Sequence, residues 1–133
     1  MVLKKIIDSI KTINDYLSAC KWMDFEFVNI DCYKIKIIGS IDLTWENYQS
    51  IEIEFEQPEY ISALLWGFSL QKRKPFIEIE DKSTIASLIG LTLTEDEYCF
   101  KINIEDFDDL PIRIISKNIN YNILKQPNAG IDN

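Results

Sequence analysis

Histidine does not occur in this chain. Its absence removes the commonest general base, the usual nitrogen ligand of a metal, and every Ser-His or Cys-His pair. Carboxylates, lysines and tyrosines remain, so the absence lowers the expectation of catalysis without abolishing it. Cysteine is sparse and odd in number: Cys20, Cys32 and Cys99 are widely spaced and form no CxxC pair. That argues against a disulfide framework or a zinc site. The three read instead as small buried hydrophobes. Glycine is scarce, and the segments "IIGSI" and "LIGLT" match no phosphate-binding loop.

Also missing is an apolar run long enough to span a bilayer. The opening "MVLKKIIDSIKTIN" interrupts its hydrophobic residues with Asp8, Lys11 and Asn14 and is followed by no small-residue cleavage site. It is therefore not read as a signal peptide, and the cytoplasm is the expected location.

Positive charge is in short supply. Lys and Arg number 14 against 22 Asp and Glu, for a net charge of −8. Such a chain repels phosphate backbones and anionic membrane surfaces, so neither nucleic acid nor membrane is an expected partner. Basic proteins are. The plainer reading is that the charge keeps the protein soluble.

What the sequence does hold is enough apolar material for a core: 47% hydrophobic and 12% aromatic residues over 133 positions, the length of one domain. Residues 1–125 are expected to form that domain and 126–133 a frayed tail. "VLKKIIDSIKTINDYLSAC" places Leu3, Ile6, Ile7, Ile10, Ile13 and Leu17 at helical spacing, with Lys, Asp and Thr on the other side. This predicts an amphipathic helix with one buried stripe.

Beyond it the period changes to two. "DFEFVNID" predicts a first strand and "CYKIKIIGSIDL" a second, with Tyr33, Ile35, Ile37 and Ile41 on one face. "SIEIEFEQ" follows the loop "TWENYQ" and alternates Ile51, Ile53 and Phe55 with Glu52, Glu54 and Glu56. Pairing the last two strands as a hairpin sets Ile37 opposite Phe55 and Lys36 opposite Glu56, or each shifted by two. A slip of one residue is rejected, because it would set Ile against Glu throughout. "QPEYISALLWGFSL" reads as a short helix or helical turn starting at Pro58, and "QKRKP" as an exposed basic turn. "FIEIED" and "YCFKINIE" are strands, with Ser83 or Thr84 capping a helical turn between them that Gly90 ends. "IRIISKNINYNIL" is one long or two short strands. The fold class that follows is α+β, the N-terminal helix packed on a twisted, mainly antiparallel sheet. A barrel or sandwich with a helical plug is the alternative.

The candidate chemistry is thin. "EDFDD", residues 105–109, gathers four carboxylates but lacks the Gly and the ligand spacing of a calcium loop, and reads as a solvated acidic loop. Paired carboxylates for acid and base work could come from Glu52, Glu54, Glu78 or Glu80. They fall on an open polar face, though, without the apolar pocket that such work needs. No catalytic residue, cofactor or metal site is expected. Trp45 and Tyr48 sit in the hairpin loop beside the acidic face, and both are residue types that anchor interfaces. Trp22 and Trp66 look core-directed.

The size, the acidity and the rows "IEIEFE" and "FIEIED" resemble, at class level, the small immunity proteins of bacterial polymorphic-toxin and contact-dependent inhibition systems. The resemblance implies a non-catalytic module that neutralises a cognate, basic toxin domain. Glu52, Glu54, Glu56, Glu78, Glu80, Trp45 and Tyr48 are the expected contact residues. Two other readings stay open: a ligand-binding or enzymatic domain with an apolar pocket lined by "FEF", "YCF" and Tyr121, and an assembly subunit.

Overall fold

The computed structural model describes residues 2–40, 49–63, 67–105 and 110–127. The helix expected at the start is present as α1 (Val2–Ser18), with Ile6, Ile13, Tyr16 and Leu17 buried. Leu3 and Ile7, predicted for the same stripe, are 45% and 51% exposed. Burying Tyr16 rolls the helix so that its opposite flank, which carries Leu3 and Ile7, turns outward.

Three strands follow in meander order: β1 (Asp24–Ile30), β2 (Lys34–Ser40) and β3 (Gln49–Glu56). The β2–β3 register sets Ile37 against Ile53 and Ile35 against Phe55, the two-residue shift of the hairpin register. Ile35, Ile37, Ile51 and Ile53 stay on the core face, while Ile38 shares the other face with Glu52. Tyr33, expected on that face, lies before the strand begins and is 80% exposed. It occupies a turn closed by Asp31, whose carboxylate accepts from the backbone N–H of Tyr33 and Lys34 at 2.8 and 2.9 Å.

The segment read as a helix near Pro58 instead gives β4 (Tyr60–Ser62) and β5 (Phe68–Ser69), the residues between them lying partly outside the described set. Long-range pairing overrides the helical spacing there: Tyr60, Ile61 and Ser62 lie against Ile115, Ile114 and Arg113. β6 (Ile77–Glu80) leads into α2 (Lys82–Ile89). Asp81 is the N-cap of α2, and Gly90 ends it at a φ of 74° that suits glycine. β7 (Tyr98–Ile102), β8 (Ile112–Ser116) and β9 (Asn118–Ile123) complete the described elements.

The strands form two sheets rather than the single one expected, in the orders β5-β1-β2-β3-β9 and β4-β8-β7-β6. Their antiparallel pairs and the N-terminal helix make the fold α+β, with open sheets rather than a closed barrel. One corner joins them. β3 turns into β4 through Gln57, at a φ of 51°, while β8 turns into β9 at Lys117. The Lys117 N–H donates to Glu56 O (3.1 Å) and the Glu59 N–H to Ile115 O (2.8 Å), so both strands of the ribbon bend together.

Between the sheets and α1 lies one core, in which Phe25, Phe55 and Phe100 are fully buried. Burial of each such side chain contributes roughly 1.5–3 kcal/mol. Phe25 stacks on Phe68 and Phe76 at 5.2 and 4.6 Å and lies across Gly39, where an added Cβ would come within 2.6 Å of its ring. A second, small cluster of Ile85, Cys99 and Ile115 forms where α2 covers the outer face of the smaller sheet. Trp22 is 38% exposed and so not core-directed, and Cys32 is exposed, unlike buried Cys20 and Cys99. Both lie at or beyond element ends, where hydrophobicity does not dictate burial. Trp66 lies outside the described residues.

Candidate functional site

Alternation along β3 buries Ile51, Ile53 and Phe55 and turns Glu52, Glu54 and Glu56 to the outer face of the five-stranded sheet. Its neighbours complete three columns. β2 contributes Lys34 and Lys36, facing Glu56 and Glu54; β9 contributes Asn118, Asn120 and Asn122, facing Glu56, Glu54 and Glu52. β1 adds Glu26, opposite Ile38.

The charges do not pair straight across. Lys34 Nζ lies 3.2 Å from Glu54 and Lys36 Nζ 3.6 Å from Glu52, each lysine leaning along its strand past the glutamate directly opposite. Glu56 is thereby left to the asparagines, accepting from Asn118 Nδ2 at 3.3 Å and from Asn120 Nδ2. All three glutamates are therefore held, two by ammonium groups and one by neutral amides. Exposed pairs of this kind contribute little stability, of order 0–1 kcal/mol, but they fix the side chains in place. Glu26, Glu52, Glu54 and Glu56 meet two ammonium groups on this face, where Asp24, at the start of β1, accepts from the Ser69 hydroxyl at 2.7 Å; Glu26 and Glu56 have no ion pair among the described residues.

Glu78 and Glu80 do not extend the row. They stand on β6, in the other sheet, and both are engaged. Glu78 accepts from Asn103 Nδ2 at 2.7 Å. Glu80 takes Arg113 Nε at 2.5 Å and Nη2 at 3.4 Å in a mostly buried pair. That hydrogen bond raises the Arg113 pKa. Beside them, burial pushes the Cys99 thiol up to about 12, with the Glu80 charge adding to the effect and Arg113 opposing it. This constellation locks a protonated thiol and an ion pair under α2, and a nucleophile needs the reverse.

Trp45 and Tyr48 lie outside the described residues, as does all of the "EDFDD" cluster but Glu105. Among the described residues no group of three Cys, Asp or Glu side chains is placed to hold a metal ion. No helix among them is long and apolar enough to cross a membrane. The basic turn closes the end of α1. Lys72 Nζ donates there to the carbonyls of Leu17, Ser18 and Cys20, at 3.3 and 2.9 Å for the first two.

The lysines were legible in the hairpin register, which set Lys36 opposite Glu56 or, shifted by two, Glu54; Glu26 and the asparagine column were not foreseen as parts of this face. "NINYN" carried a usable signal, since its asparagines alternate with apolar residues. Its place beside β3 depends on a contact more than sixty residues long. No family model matches the chain, and neither the curated proteins nor the solved structures include a match to it.

Proposed function

We propose that this chain is a non-catalytic protein-binding module of the immunity-protein kind, which binds and neutralises a basic toxin domain in the cytoplasm. The observation that carries the reading is the outer face of the five-stranded sheet. Neither described helix is packed on it, its side chains are fixed by cross-strand pairs, and its carboxylates outnumber its ammonium groups by more than two to one. A rigid face loses little side-chain freedom when it docks, and its excess negative charge steers a cationic partner toward it. Glu52 and Glu54 are largely offset by their lysines, so Glu26 and Glu56 carry the uncompensated field. The net charge of −8 acts in the same sense at longer range. Trp45 and Tyr48, in the β2–β3 connection, are the aromatic candidates for slowing dissociation.

The test is co-expression with the toxin domain encoded by the neighbouring gene, scored by growth. The wild-type chain is expected to restore growth and to co-purify with that domain. Failure to restore growth, together with failure to bind it, contradicts the reading.

A further inference from the structure

A second acidic feature lies away from the sheet face, where the segment after α2 runs over the smaller sheet. Leu91, Leu93 and Ile115 wall a half-enclosed groove of about 250 Å³, and Glu59 and Glu97 line it with them. That volume falls short of the roughly 300–1,000 Å³ of drug-sized ligand sites and suits a single side chain. Glu97 is 4% exposed. One of its oxygens, Oε1, accepts from the Thr94 N–H at 2.9 Å across the turn that leads into β7. Its second oxygen has no hydrogen-bond partner and its charge no ion pair among the described residues. The nearby cations are committed elsewhere, Lys82 to the carbonyls of Thr94 and Glu95 and Lys117 to Asp96.

A carboxylate with so little exposure is favoured by a counter-charge. We infer that the groove receives the side chain of a lysine from a protein partner. Its methylenes would lie along Leu91, Leu93 and Ile115, and its ammonium group would meet Glu97, with Glu59 adding negative charge. Lysine fits better than arginine, because Oε1 is already engaged by the Thr94 N–H and only one oxygen is left fully open. A guanidinium fork is matched by two. The source of the lysine rests on the protein-binding reading; the chemistry of the groove does not.

The test uses Nα-acetyl-lysine N-methylamide as probe, followed by amide chemical shifts of the whole chain. Its norleucine counterpart keeps the apolar stem without the charge, and its arginine counterpart keeps the charge on a fork. Saturable shifts at Leu91, Leu93, Glu97 and Ile115 are expected for the lysine probe. Binding of the norleucine probe should be about tenfold weaker, a difference of about 1.4 kcal/mol. Glu97→Gln, which keeps the acceptor for Thr94, should bring the lysine probe down to the norleucine level. Absence of saturable shifts, equal binding of the norleucine and lysine probes, or tighter binding of the arginine probe would each overturn the assignment. Probe binding in a chain that fails to neutralise the toxin would leave the groove standing and remove the immunity reading. The converse result would do the opposite.

Discussion

Asn14, on the helix, and Ile77, on the outer edge of β6, share two hydrogen bonds: Asn14 Nδ2 donates to Ile77 O at 2.9 Å, and the Ile77 N–H donates to Asn14 Oδ1 at 3.0 Å. One amide side chain thus does for the edge strand what a further strand would do. Replacing Asn14 with Leu leaves a backbone donor and acceptor unsatisfied in a partly buried place. At about 1–3 kcal/mol for each of the two orphaned groups, a loss of about 2–6 kcal/mol in urea unfolding is expected. Asn14→Asp keeps only the acceptor and should fall between. An Asn14→Leu variant as stable as the wild type would show the contact to be incidental.

Lys72 makes an analogous closure at the other end of α1, where three carbonyls receive its ammonium group. Lys72→Met keeps the stem and removes the donor. A loss of about 1 kcal/mol is expected, as for a favourable charge at a helix C-terminus. Hydrogen exchange should quicken in the last turn of α1 while the β2–β3 ladder stays protected. Uniform quickening throughout would point to a global effect instead.

The three thiols should differ sharply. Cys32 is exposed, whereas Cys20 and Cys99 are buried. A disulfide reagent applied to the native protein should modify one thiol quickly and the other two only on unfolding. Rapid reaction of two or three would contradict the placement of Cys20 or Cys99.

Alkaline solution should loosen the fold. Tyr16 is pushed up to about 12, mainly by burial, with Cys20 reinforcing the shift and the bond to Ser50 opposing it. Cys99 is likewise raised to about 12. From about pH 9 upward the unfolded chain therefore releases protons that the native chain retains. Stability should be fully present below that pH and decline as it rises toward 12. On the acid side Asp31, Asp81 and Asp96 are held below the usual carboxylate range. The causes, in that order, are backbone N–H bonds, chiefly the bond from Ser83, and the Thr94 hydroxyl. Their contribution is present above pH of about 4 and is lost as pH falls through their native values. Tyr16→Phe should flatten the alkaline slope of stability against pH while lowering its starting value. An unchanged slope in that variant would remove Tyr16 as a cause.

The sequence carried what local periodicity can carry. The helix, the alternation of β3 and the rejection of a one-residue slip all follow from side-chain spacing, and the register is one of the two it allowed. Hidden were the relations set by distant contacts. "PEYIS" spaces its apolar residues as a helix would, yet it pairs with Arg113, Ile114 and Ile115, some fifty residues on. The rows "IEIEFE" and "FIEIED" look alike in one dimension, and the bend at Gln57 and Lys117 sends them to different sheets. The result is one acidic face where two stretches suggested a continuous one. A carboxylate's partner is also invisible locally, as Glu56 with Asn118 and Glu80 with Arg113 show.

The most direct test of the account is the association rate of the chain with the basic toxin domain proposed as its partner, measured at low and high salt for the wild type and for Glu26→Gln/Glu56→Gln. Glutamine at position 56 keeps one of the two acceptor oxygens that the asparagines use, and the lost bond lies at the surface, so the effect on folding should be small. The wild-type rate should fall steeply with salt, and the double variant should associate about tenfold more slowly at low salt, within the range of electrostatic steering. A wild-type rate that ignores salt and matches that of the double variant would contradict the account.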